Sequence, residues 1–190
     1  MTDIYSTTSP YIGEKIKLRP LEKNDLDSIM EFWNTYETRI GLDLFIPMSS
    51  MMENEFIERA HEGAKSGKHF IFAIEEISTG KFLGTCGIDN INHISRSAEL
   101  GIAIHNPENH SKGYGTDTMK CLIKFGFNIL NLHRIELWVM EFNERAIHVY
   151  EKVGFKEVGK KREARFLQGR YYDIILMDIL EEEFRKNYSN

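Results

Sequence analysis

A loop of small residues running into an apolar helical stripe is the part of this chain whose residue types and spacing can do chemistry. Lys112-Gly113-Tyr114-Gly115-Thr116 precedes Met119, Leu122, Ile123, Gly126, Phe127 and Leu130, which fall on one face of a helix. Such a loop offers several backbone N–H donors and the positive end of a helix dipole, and the usual guest is a phosphate. A side chain at Gly113 or Gly115 would hold that phosphate away from the backbone. The alternative is a plain helix start with a tight turn. A nucleotide P-loop needs Gly-Lys followed by Ser or Thr, whereas here Lys112 comes before Gly113 and no such pair follows. A dinucleotide fingerprint needs a small residue where Thr118 stands and an early parallel βαβ unit. Glu136 lies at a fitting distance for the ribose acid of that fold, yet it alternates within a single strand.

Other chemistries have less to build on. Cys86 and Cys121 are far apart, sit in apolar surroundings and have no adjacent His or Asp, so they read as reduced, buried thiols. An acyl-cysteine route therefore has little support. The seven histidines form no ligand set at metal spacing, so no metal is expected.

The elements that must position the loop follow from periodicity. Ile16-Lys17-Leu18-Arg19 alternates as a short strand before Pro20, and Asn24 or Asp25 caps a helix carrying Leu26, Ile29, Met30 and Trp33. A second helix starts near Ser50, with Met52, Phe56, Ile57 and Ala60 on one stripe, and ends near Gly63 or Gly67. Strands are expected over 69–75, 82–89 and 98–105, with Ser78-Thr79-Gly80 as a hairpin turn, which makes an antiparallel meander. After the long helix, 134–140 alternates as a strand, Asn143 caps a short helix that Gly154 ends, and 155–158 and 172–180 read as closing strands. A charged tail follows from Glu181. The fold class is α/β (α+β): a mixed, mainly antiparallel sheet of about six to seven strands with about four helices. The expected division is an N-terminal extension over 1–14, one domain over 15–182 and a tail over 183–190.

Composition sets the outer limits. At 190 residues, with 42% hydrophobic and 28% charged residues, the chain suits one globular domain with a sizeable core. The formal charge of -5 argues against a coat for nucleic acid or an anionic membrane and mildly favours a cationic substrate. No basic start precedes an apolar run and no eighteen apolar residues are consecutive, so a cytoplasmic location is expected, without membrane or nucleic-acid partners.

Two stretches carry a resemblance. Ala98-Glu99-Leu100-Gly101-Ile102-Ala103-Ile104, followed by His110-Ser111-Lys112-Gly113-Tyr114-Gly115-Thr116, resembles the acetyl-CoA signature of the GNAT superfamily of N-acetyltransferases. The run from Asn143 through Ala146 and Tyr150 to Gly154-Phe155 resembles its closing motif. Ile16-Lys17-Leu18-Arg19-Pro20-Leu21 is similar to the RimJ/RimL-type branch, which includes ribosomal-protein N-terminal acetyltransferases and bacterial spermidine acetyltransferases. The family often has Gln or Arg where His110 stands; the loop amides need no particular side chain.

The resemblance implies a GNAT-like fold, acetyl-CoA as donor, and direct attack by an amine in a ternary complex. It implies a pyrophosphate on the amides from His110 and Ser111 to Thr116, with Lys112 either touching it or solvated. Ile102, Ala103 and Ile104 would pair with the pantetheine arm, and an N–H near Ile102 would receive the thioester oxygen. Glu99 is implied as the base, against an exposed strand glutamate or a substrate-positioning charge. Tyr150 is implied as the acid on the sulfur, although its helical spacing with Ala146, Ile147 and Val153 also suits a core residue. Asn143 caps its helix, touches CoA, or does both. The acceptor pocket would draw on Tyr36, Glu37, Asp43, Asp89 and Glu99, most simply for a small (poly)amine, alternatively for a protein N-terminus. A non-catalytic CoA-binding module is the reading from another class. Homodimers are common among the proteins it resembles, though no residue here demonstrates one.

Overall fold

The computed structural model describes residues 9–42, 44 and 46–188. In chain order they form β1 (Ile16–Pro20), α1 (Leu26–Trp33), α2 (Tyr36–Gly41), α3 (Ser50–Ser66), β2 (Phe70–Glu76), β3 (Phe82–Asn92) and β4 (Ser97–Ile104). Then come α4 (Tyr114–Asn128), β5 (Arg134–Met140), α5 (Glu144–Val153), β6 (Lys156–Leu167), β7 (Arg170–Leu180) and α6 (Glu181–Tyr188). The seven strands make one sheet in the order β1-β2-β3-β4-β5-β7-β6. Every pairing is antiparallel except β4 with β5, the two strands that α4 connects.

Period-two alternation sends side chains to two different layers. Ile88, Ala98, Leu100, Ile135, Leu137, Val139 and Met177 bury against Met119, Leu122 and Ile123 of α4 and Tyr150 and Val153 of α5. On the opposite face Ala73 of β2 meets Leu21, Ile29 of α1 and Ile57 and Ala60 of α3 in a smaller core. Gly126 lets α4 lie close on the sheet, because a Cβ there would stand 2.6 Å from Ile135 Cδ1.

Three stretches differ from the sequence expectation. Residues 36–41 form α2, capped by the Thr35 side chain; six residues are too few for a clear periodic stripe. The charged run from Glu181 is helix α6 rather than a trailing tail, and its Phe184 stacks on Phe127 of α4 at 4.8 Å. Strand β6 continues to Leu167 instead of ending at 158. It is the edge of the sheet and mostly exposed, so Lys160, Lys161, Arg162 and Arg165 replace the alternation that marks a half-buried strand. The described helices therefore number six rather than about four.

Residues 9–16 are tied to the glycine loop. The buried Asp117 carboxylate, in the first turn of α4, accepts from Glu14 N (3.1 Å), Lys15 N (2.7 Å) and Ile16 N (3.1 Å). Gly13 permits this approach, since a Cβ there would stand 2.4 Å from Asp117 Oδ2. Lys15 Nζ donates to the Lys112 carbonyl at 2.8 Å. Replacing Asp117 by Ala leaves three amides without acceptors, so we expect a loss of about 3 kcal/mol in denaturant unfolding. A loss under about 0.5 kcal/mol would show that water substitutes for the carboxylate.

Candidate active site

The sheet is open at its centre. β4 and β5 pair only through Ser97↔Arg134, Ala98↔Ile135 and Glu99↔Glu136, although β4 continues to Ile104 and β5 to Met140. Beyond Glu99 the two strands diverge into a wedge. His105 N donates to Leu83 O of β3 at 3.0 Å, and the two-residue period then turns Ala103 toward β3 and Ile102 away from it. The N–H and C=O of Ile102 thus lie on the free edge, where an extended arm bearing amides can add as a strand does.

The glycine loop stands at the end of that edge. His110 Nε2 donates to the Ile104 carbonyl at 3.0 Å, folding the loop back on the strand. Ser111 and Gly113 both have positive φ, at 59° and 90°, and Gly113 occupies the N-cap of α4 with no side chain closing the helix end. The first-turn amides, including those of Gly115 and Thr116, are left facing outward. A Cβ on Gly115 would meet nothing within 4 Å, so its missing side chain is not required by packing. Lys112 is exposed beside the loop, and the Tyr114 hydroxyl donates to Glu76 of β2. These features fit the pyrophosphate and pantetheine arm of an acyl-CoA.

Two titratable groups flank the wedge from opposite faces. Tyr150 belongs to the core beneath α4 and α5, is 8% exposed and packs its ring on Phe155 at 6.1 Å. Burial pushes its phenol up to about 12, so it remains a proton donor at neutral pH. Among the described residues no hydrogen bond occupies its hydroxyl. Asn143 caps α5, its Oδ1 accepting from Ala146 N at 3.3 Å, which leaves the side-chain NH2 available.

Glu99 alternates with Ala98 and Leu100 and so faces the other layer. Register places it beside Asp89 of β3 and Glu136 of β5, and Glu136 beside Asp178 of β7. Four carboxylates therefore stand in one row, about 4.8 Å from strand to strand. Arg134 neutralises one end through Glu136 (2.8 Å) and Asp178 (2.6 Å). At the other end Glu99 is held only by Asn90 Nδ2 at 3.0 Å, and Asp89 by the amide of Asn90 at 2.7 Å with His69 Nδ1 at 4.0 Å.

Of the proposed acceptor residues, Tyr36 and Glu37 are exposed on α2, and Asp43 lies outside the described residues. The Tyr36 hydroxyl accepts from Gln168 Nε2 at 2.7 Å, linking α2 to the β6–β7 turn on the far side of β5. The structure thus brings Asp89 and Glu99 together as register partners and ties Tyr36 to Gln168, while Glu37 has no contact with either carboxylate among those described. The residues that hold this arrangement, Asn90, Arg134, Asp178 and Gln168, are not singled out by the sequence; their role follows from register, which spacing along one chain does not carry.

The thiols are out of reach of such chemistry. Burial raises Cys121 to about 12 and holds Cys86 well above the usual thiol value, so neither is a thiolate at neutral pH.

Comparison with known proteins agrees with this geometry. Residues 15–156 match the acetyltransferase (GNAT) domain. The chain belongs to the GNAT acetyltransferases. It is 32% identical over 183 residues to the spermidine N(1)-acetyltransferase of Escherichia coli (strain K12), covering 90% of this chain and 89% of that one. The crystal structure of spermidine N-acetyltransferase from Vibrio cholerae in complex with CoA and spermine superposes with a TM-score of 0.78 at 32% identity, over 89% of this chain and 97% of its own. The putative ribosomal N-acetyltransferase YdaF of Bacillus subtilis (strain 168) is 26% identical over 91% of this chain and 95% of its own. The protein is an acetyl-CoA-dependent N-acetyltransferase.

A Gly115→Val chain should keep its melting temperature within about 2 °C, because its Cβ meets open space, while CoA affinity measured by calorimetry falls about tenfold. Unchanged affinity would remove the loop from the anion site.

Proposed function

We propose that this protein transfers the acetyl group of acetyl-CoA to a primary amine of a small polyamine, by direct attack within a ternary complex. One observation carries the acceptor: Asp89 and Glu99 are register partners on the face of the wedge opposite Tyr150, with no arginine or lysine ion-paired to either among the described residues. Adjacent carboxylates suit a chain of ammonium groups, which spreads positive charge over several methylenes, better than the single charge of a peptide N-terminus.

The bound donor supplies a thioester whose carbonyl carbon accepts the amine. This chain's residues do the rest. Glu99 takes the proton from the attacking ammonium, directly or through water, as the nitrogen–carbon bond forms. The Ile102 N–H, fixed on the free edge of β4, donates to the oxygen that gains charge. Tyr150 gives its proton to the sulfur as the carbon–sulfur bond breaks. Both events occur across one wedge, the amine arriving from the face of Glu99 and the sulfur leaving on the face of Tyr150. Asn143, Ala146 and the loop from His110 to Thr116 hold the donor, with Ile102, Ala103 and Ile104 along its arm. Tyr36, Glu37 and Asp89 position the acceptor. The carboxylate row needs no metal to balance its charge when a polyamine is present. The likeness to spermidine acetyltransferases supports this acceptor, and a dodecameric structure of spermidine N-acetyltransferase from Vibrio cholerae supports self-association.

Thiol release from acetyl-CoA should be seen with spermidine and related amines and be absent with peptides of varied N-terminus. Turnover confined to peptides would overturn the acceptor in favour of N-terminal acetylation. CoA binding without any turnover would leave a binding module.

Tyr150→Phe should lower kcat about 100-fold with CoA affinity unchanged, and Glu99→Gln should lower kcat about 100-fold with CoA affinity likewise unchanged. With Tyr150 pushed up to about 12, its protonated form persists through neutral and mildly alkaline pH, so no alkaline limb belongs to it in that range. Full activity in Tyr150→Phe would return this phenol to the core. Asp89→Asn should raise KM for spermidine about tenfold with kcat nearly kept; the reverse split would make Asp89 part of proton transfer.

A further inference from the structure

Arg145 is an arginine in an electrostatically poor place. It is the second residue of α5, where the helix dipole is positive and acidic side chains are favoured. It is exposed, and among the described residues no carboxylate pairs with it. Its one described partner is an imidazole: Arg145 Nη1 donates to His110 Nδ1 at 2.5 Å.

That bond fixes the histidine as well. Nδ1 accepts from Arg145, so Nε2 carries the proton that is donated to the Ile104 carbonyl at 3.0 Å. His110 is a neutral bridge between the free edge of β4 and the start of α5. Burial and the neighbouring guanidinium both hold its pKa below the usual histidine value. Protonation would remove the acceptor and set two cations side by side.

The bridge draws together two helix starts. α4 opens at Gly113 without a side-chain cap, α5 opens at Asn143, and α4 packs on α5. Two dipole ends and the Arg145 guanidinium are thus joined through His110, with Lys15 reaching the Lys112 carbonyl of the same loop. Glu76 faces Lys112 and Tyr114 on the β2 side of the loop, whereas Glu108 and Glu144, the acids nearest in sequence, form no ion pair with Arg145 among the described residues. A mouth so charged is satisfied by a multiply charged anion, and the planar fork of an arginine suits a phosphate through two parallel N–H groups.

We propose that Arg145 is a phosphate-binding residue for the CoA moiety and that His110 is the positioning residue that aims it. The proposal rests on acetyl-CoA as donor and adds to it a residue outside the glycine loop. His110 spends both ring nitrogens on scaffolding and contacts no phosphate. The guanidinium it orients supplies the charge at that corner.

The test is calorimetric binding of CoA, 3′-dephospho-CoA and 4′-phosphopantetheine to the wild-type chain and to Arg145→Gln, Arg145→Lys and His110→Gln, with melting temperatures alongside. Arg145→Gln should weaken CoA about tenfold or more with the melting temperature kept within about 2 °C. Arg145→Lys should recover part of the loss. His110→Gln should weaken CoA by about threefold, and the double variant should bind no worse than Arg145→Gln alone, because one substitution acts through the other. If the loss in Arg145→Gln persists with 3′-dephospho-CoA, the pyrophosphate is the contact; if it vanishes, the 3′-phosphate is. CoA affinity within twofold of wild type in Arg145→Gln would overturn the proposal, as would an equal loss with 4′-phosphopantetheine in every variant together with a large fall in melting temperature. A wild-type chain that binds no CoA would overturn this proposal and the donor assignment together; a wild type that binds, with Arg145→Gln binding equally, overturns the proposal alone.

Discussion

The parting of β4 from β5 after three paired residues is the constraint on which the rest of the structure depends. A sheet interior ordinarily satisfies every backbone group by its neighbours, and a central strand left with bare N–H and C=O groups is costly unless water or a ligand takes them. Here the bare edge includes Ile102, and it exists only because α4 connects two parallel strands that share one end and splay at the other. The loop preceding α4 must therefore begin where the bare edge finishes. A helix N-terminus and an unpaired strand edge come to adjoin without any residue being specialised for it. An elongated ligand with an anion at one end and amides along its length matches both at once.

The same divergence separates the proposed acid from the proposed base. Strand alternation assigns Leu100 to the layer of α4 and α5 and Glu99 to the layer of α1 and α3. Were the strands paired to their ends, the sheet would be a wall between Tyr150 and Glu99. Open, it is a passage across which the proposed reaction brings one group to the sulfur and the other to the nitrogen. Their environments diverge accordingly: burial keeps the phenol protonated to about 12, while Glu99 stays near solvent beside Asn90.

How much of this was legible in the sequence depends on whether the signal was local. Asn143 and Gly154 bracket α5 as expected because a cap and a left-handed C-terminal glycine, with φ of 106°, act within one turn of the residues they serve. The 134–140 strand was readable because its two faces differ in polarity. β6 was not, since an exposed edge strand is free to carry charge on both sides, and its register shifts after Glu157 and Lys161 spoil what alternation remains. The row of Asp89, Glu99, Glu136 and Asp178 was visible only as four scattered acids. Cross-strand register, a tertiary property, turns them into one feature with one neutralised end.

His110 shows the same limit more sharply. Read alone, it is a histidine at the mouth of a phosphate loop whose amides need no particular side chain, so the sequence assigns its ring no task. Its two ring nitrogens are instead committed to Ile104 and Arg145. An imidazole has only two nitrogens, so a residue so bound has no donor left for a ligand, and any charge it contributes must come through what it holds. The guanidinium stands 35 residues away in sequence and acquires its place only when α5 packs on α4. The proposed phosphate contact at this corner belongs to the pair, and a pair is what a linear reading of residue types has no means to show.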